Sequence, residues 1–236
     1  MPSVGHTPTM SRPPWTTAAV IVCALLTVLS FASVGEGASG LPSGRAPSFK
    51  VGTTWTYRHT VTSPAGESRT GTMKEVYSGE MTYRGRVYHA VDVSTTVNPS
   101  LAERIYHEWA GTHFRQVASV TTDTSNNMAE IVFDRPIDLG IQTNISGTAA
   151  IYENGVQRGT APLTYSASSK GTARVTVPAG TFQATIWDVL LRIGQLETSM
   201  SIHAVGIQDV RMESKIFAAG SLASTWSKEL VSGPLR

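Results

Sequence analysis

Of 236 residues only one, Cys23, is a cysteine, and it lies inside an apolar N-terminal run. The rest of the chain therefore has no disulfide, no thiol nucleophile and no cysteine-ligated zinc or iron–sulfur site. Its fold must be held by its core. Charge is also scarce: Asp, Glu, Lys and Arg make up 15% of the residues, and the net charge is +2. The basic residues stand singly, among them Arg58, Arg69, Arg84, Arg86, Arg104 and Arg115. No basic stripe interleaves with aromatics, so nucleic acid is not indicated as a partner. Catalytic signatures are missing too. There is no Gly-x-Ser-x-Gly elbow and no glycine loop built to cradle phosphate before a helix. No cofactor is expected, and the chain reads as a non-enzyme.

What is present begins with 23 uncharged residues between Arg12 and Glu36. Arg12 supplies a positive n-region, residues 18–31 an apolar core, and Ala32, Ser33 and Gly35 the small residues of a cleavage site. This is the layout of a secretory signal. Residues 1–35 are read as a signal peptide or, since the run approaches a spanning length, an uncleaved anchor. Met10 is an alternative start to Met1. Cys23 sits within the apolar core, where a lipidation site is not expected. The chain is thus expected to be exported, periplasmic or extracellular, with membrane contact only through an uncleaved N-terminal segment on the inner membrane.

Residues 36–48 are rich in Gly, Ser, Pro and Ala and read as a flexible tether. From residue 49 the composition turns to Thr, Val, Tyr and Trp, which favour pleated backbone. Alternation dominates. In 86–97, Val87, His89, Val91 and Val93 share one face, and Tyr88, Ala90 and Asp92 the other. In 207–216, Val210, Met212 and Ile216 oppose Asp209, Arg211, Glu213 and Lys215, as in a strand with one wet side. In 181–193 the apolar face changes midway, which predicts burial on both sides or a bulge near Asp188. A short helix is expected near 99–104. Asn154-Gly155 signals a two-residue hairpin, and Gly66, Gly85, Gly111 and Gly180 mark further turns.

An offset of 88 aligns Gly52 with Gly140 and Thr60 with Thr148. After an insertion it becomes 95 and aligns Gly85 with Gly180 and Gly111 with Gly206. The expected fold is one all-β domain over 49–232: a curved antiparallel sheet, sandwich or open barrel. It is built from two meander-like repeats, about 49–120 and 137–216, neither able to bury enough surface alone.

The stretch 171–182, G-T-A-R-V-T-V-P-A-G-T-F, resembles a segment of poorly characterised bacterial secreted and envelope β-proteins carrying a V-P-A-G-T-F motif. His203-Ala-Val-Gly-Ile-Gln-Asp-Val210 is similar to their second motif, with His203 where an aromatic often stands, and 49–55 to their opening strand. The resemblance implies strongly curved antiparallel β-structure, distantly like the half-barrel of periplasmic lipoprotein carriers. Both motifs also have purely structural readings: a turn at 177–180, and a bulge or close approach at Gly206.

Candidate chemistry is sparse. His107, Glu108 and His113 flank a hairpin, but adjacent strand residues point apart, so no metal site is expected. His89 reads as a core or cavity-edge histidine. Trp187, Val189, Leu191 and Ile193, with His89 and Tyr88, are the candidates to line a cavity for a lipid or other apolar small molecule. The expected function is a non-catalytic envelope protein holding such a ligand in a concave sheet. The alternative is a protein–protein interaction module of an envelope assembly.

Overall fold

The computed structural model describes residues 49–111 and 113–235. The expectations placed on the apolar run, the tether and Cys23 fall outside the described residues. Twelve strands follow one another: β1 (Thr54–Thr62), β2 (Ser68–Tyr83), β3 (Arg86–Thr95), β4 (Leu101–Trp109), β5 (Phe114–Asp123) and β6 (Met128–Asp138). The second six are β7 (Thr143–Glu153), β8 (Val156–Val177), β9 (Gly180–Ile193), β10 (Leu196–Val205), β11 (Gln208–Ala218) and β12 (Ser221–Ser232). Each pairs antiparallel with its neighbours in sequence, and β1 pairs with β12. The sheet therefore closes into a barrel. All-β, antiparallel structure is as the alternation required; the sandwich and open-barrel forms are not what forms, because the β1·β12 seam leaves no edge. The helix expected near 99–104 is instead the start of β4.

Period-two patterning places large apolar residues inside. Trp55, Met73, Tyr165, Trp187, Met212 and Trp226 are all buried. Alternate residues facing outward are mostly Ser, Thr and charged. Over β2 to β6 a second apolar cluster, separate from the main core, gathers Ala90, Tyr106, Val117 and Ala118 with Tyr83 and Tyr88 packed against them. One end of the interior is closed by a run of rings. Phe49 packs edge-on to Trp55 at 5.2 Å and to Tyr77 at 5.7 Å, and His89 and Trp109 both pack on Phe114.

The long β8–β9 hairpin adds to this closure. Its pairing slips between Ser169 and Thr172, and Gly171 takes a φ of +93° there, a conformation that side chains resist. Beyond the bulge, Val175, Val177 and Ala184 are buried and Phe182 packs half-buried against the core. The Ala179 N–H donates to the Leu230 carbonyl at 3.0 Å, and β8 touches β11 and β12. The tip thus folds across toward β12. The change of face within 181–193 goes with the bulge expected near Asp188, which lies on the facing strand β8 at 169–172, while β9 pairs with β10 without interruption from Ile193 to Thr185.

Turn chemistry follows the sequence closely. Asn154 and Gly155 have φ of 50° and 78°, the paired positive values of a two-residue hairpin turn. Gly206 is a turn residue at φ 59° with open space around it, so the close approach expected there is absent. Gly52 and Gly140 precede β1 and β7, Gly85 lies between β2 and β3 while Gly180 opens β9, and Gly111 and Gly206 lie between the fourth and fifth strands of each six-strand half.

Candidate functional site

The six residues expected to line an apolar cavity do not converge on one. Trp187, Val189, Leu191 and Ile193 are all buried in the core. Trp187 and Val189, with Leu139, Tyr165, Ala167 and Ile202, border a void of about 10 Å³. That is room for at most one water, so an acyl chain does not fit between these strands as they stand. The bulky side chains chosen to line a cavity fill it instead. His89 is half-buried at the ring-closed end, its Nδ1 2.8 Å from the Tyr77 hydroxyl. Burial lowers its pKa. Tyr88 is on the opposite face, outside, packed edge-on to Tyr83 and Tyr106. His107 turns inward while Glu108 pairs with Arg115, and His113 bonds Asp138 at 2.9 Å. Among the described residues no three His, Cys, Asp or Glu side chains are grouped to hold a metal.

The interior also holds an ionic cluster. Lys228 is 1% exposed, and its Nζ lies 2.8 Å from Glu75 Oε1 and 3.0 Å from Asp209 Oδ2. It also stands 4.6 Å over the Tyr57 ring. Burial works against the Lys228 charge, but the two carboxylates outweigh it and hold its pKa above the ordinary value. Tyr57 is pushed well up, by burial first and then by Glu75 and Asp209. Nearby, Glu103 accepts a hydrogen bond from the Ser119 hydroxyl. Burial, reinforced by Glu75 and opposed by that bond, raises the Glu103 pKa to about 8, so it is protonated at neutral pH. His59, bonded to Thr95 Oγ1 at 2.9 Å, is lowered to about 4 by burial and by Lys228. Glu75, Asp209, Glu103 and Lys228 are all buried, so the cluster meets no substrate from solution.

Asp209 corrects the wet-side reading of 207–216. His203 pairs with Arg211 and Ala204 with Asp209, which leaves Val210 as an extra residue. The bulge turns both Asp209 and Val210 inward. Lys228 had a legible signal, because it alternates with Trp226 and Leu230 on one face.

A larger concavity lies on the outer surface. An open groove of about 680 Å³ crosses β8 to β12 and β1. Register aligns its walls into two rungs perpendicular to the strands. Thr60, Ser227, Glu213, Ser201, Asp188 and Ser168 are successive cross-strand partners. Two residues along, so are Thr62, Thr225, Lys215, Ser199, Leu190 and Ser166. At 4.7–4.9 Å between strands, each rung runs about 24 Å. Thr60 and Thr62 bond Thr70 and Ser68 on β2. The hydroxyls of Ser166, Ser168, Ser199, Ser201, Thr225 and Ser227 bond no side chain among the described residues. Glu213 pairs with Arg211, and Asp188 with Lys170 at 3.4 Å.

No protein-family model matches the chain, and no curated protein sequence matches it. Two solved structures show a partial likeness. One is a candidate exported protein of YmcC-like fold from Bacteroides fragilis, 14% identical, with a TM-score of 0.39 over 80% of this chain and 98% of that one. The other is a candidate lipoprotein from Parabacteroides distasonis, 12% identical, with a TM-score of 0.37 over 78% and 95%.

Proposed function

We propose that this chain is an exported, non-catalytic binding module of the bacterial cell envelope that holds a polar partner across the groove on β8–β12 and β1. The observation that carries the reading is the pair of aligned hydroxyl rungs in a concave, open surface of about 680 Å³. Such a surface presents donors and acceptors on its outward-facing side chains, above a floor where the strands turn Val189, Met200 and Trp226 into the core. The layout of 1–35 supports export. Enclosure of the ionic cluster supports a role in specifying the core rather than in chemistry. The apolar-ligand reading weighs less, because Trp187, Val189, Leu191 and Ile193 are packed into the core, where the void beside them is about 10 Å³.

Covalent lysine labelling tests this directly. Lys215 lies in the groove, while Lys50 and Lys74 lie outside it. An envelope fraction of the source cells is expected to protect Lys215 of the full chain and leave Lys50 and Lys74 unchanged. Equal labelling of all three with and without the fraction refutes the reading.

A further inference from the structure

Resting on that reading, we infer that the groove's occupant is an uncharged glycan chain, lying along the rungs and across the strands. Three features of the site exclude other occupants. Closure of the barrel commits the backbone of these strands to their ladders, so an extended peptide cannot add as a further strand, the usual way a sheet takes one. Leu190 is the one apolar side chain in either rung, and the groove's other apolar residues, Val189, Met200 and Trp226, are buried beneath it, which leaves an acyl chain little surface to cover. The acids Glu213 and Asp188 have cationic neighbours in Arg211 and Lys170, with Lys215 beside them. The surface therefore offers no excess charge to draw a polyanion or a polycation.

What remains is hydroxyl chemistry. A hydroxyl gives one hydrogen and accepts through two lone pairs, so a Ser or Thr row can meet a sugar's hydroxyls in either sense. Glu213 and Asp188 flank Ser201 within one rung. Their carboxylates would accept from sugar O–H groups, giving the shorter and stronger bonds of a charged acceptor. A track of about 24 Å suits an oligomer rather than a single sugar.

Isothermal titration of the full chain with cellohexaose, chitohexaose and maltohexaose provides the test, with Lys215 labelling read in parallel. At least one hexamer is expected to bind more tightly than about 1 mM and to protect Lys215. Ser199→Arg combined with Ser201→Arg should weaken that binding about tenfold or more with an unchanged melting midpoint. Should the pair melt early, Ser199→Arg alone serves, since Ser199 is exposed. No binding by any hexamer, or binding that survives the substitutions, overturns the glycan. If an envelope fraction still protects Lys215 and protease treatment of that fraction abolishes the effect, the partner is a protein: the glycan fails and the groove reading stands. If nothing protects Lys215, both fail.

Discussion

Replacing Glu103 by Gln should stabilise this protein, and by more as the pH rises. Glu103 is buried on β4, with the Ser119 hydroxyl donating to it and Glu75 near enough to oppose its ionisation. Its carboxyl titrates at about 8 in the folded chain, against an ordinary 4.5. Between those values the folded state holds a proton that the unfolded state has lost. Stability from this group is therefore complete below about pH 4.5 and falls with rising pH, by about 1.4 kcal/mol per pH unit. The loss amounts to about 3 kcal/mol at pH 7 and about 5 kcal/mol above pH 8. A Gln side chain is nearly the same size, still accepts from Ser119, and does not titrate. Two histidines act in the opposite direction on the acid side. His59 and His107 are lowered to about 4 and about 3, chiefly by burial, so their penalty appears as pH falls below 6.5. Both proteins carry these imidazoles, so the difference between the two from pH 6.5 to 9 reports Glu103 alone. In urea unfolding the deficit of wild type against Glu103→Gln should grow from pH 6.5 to about 8 and stay constant above that. At pH 7 the variant's melting point should lie about 6–12 °C higher, at 2–4 °C per kcal/mol for a domain of this size. Parallel pH profiles for the two proteins would refute the argument and show Glu103 to be solvated.

Lys228→Met should cost about 3–5 kcal/mol, because it leaves Glu75 and Asp209 buried without their cation. Adding Glu75→Leu and Asp209→Leu to it should recover most of that loss, and a wild-type urea midpoint for Lys228→Met alone would contradict the pairing. N-terminal sequencing of the native protein should give a first residue between 33 and 40, as cleavage at the small residues requires; Met1 or Met10 recovered from a membrane fraction indicates the anchor instead.

Strand content was legible because it rests on local alternation. Val91 and Val93, or Met212 and Ile216, lie inside as their spacing dictates. Turns were legible for a similar reason, since Asn154-Gly155 admits few other conformations. Closure was not, because it depends on the pairing of β1 with β12, residues far apart in sequence with no local mark. Bulges were legible only in their neighbourhood: those expected near Asp188 and Gly206 fall at Gly171 on the facing strand and at Val210. One extra residue, Val210, reverses the face of Asp209, and the slip at Gly171 reverses the β8–β9 tip. The groove was invisible for a different reason: Ser199, Ser201 and Ser227 are unremarkable singly, and only the registers of five strand pairs bring them into line.

Closure also dictates an order of events. Every strand pairing except one joins neighbours in sequence and can form as a local hairpin. The seam must bring together residues such as Tyr57 and Leu230, and its loop-closure entropy has to be met before any reward arrives. It should be the last and slowest step. Until then β1 and β12 are two open edges, able to pair with another chain. Lys228 on β12 and Glu75 on β2 reach each other across that seam. Were β12 to dock on β1 two residues out of register, the apolar alternation would survive, but Lys228 would be buried apart from Glu75. The ion cluster therefore acts as a key for closure, penalising the misaligned barrel that hydrophobic pattern alone would accept.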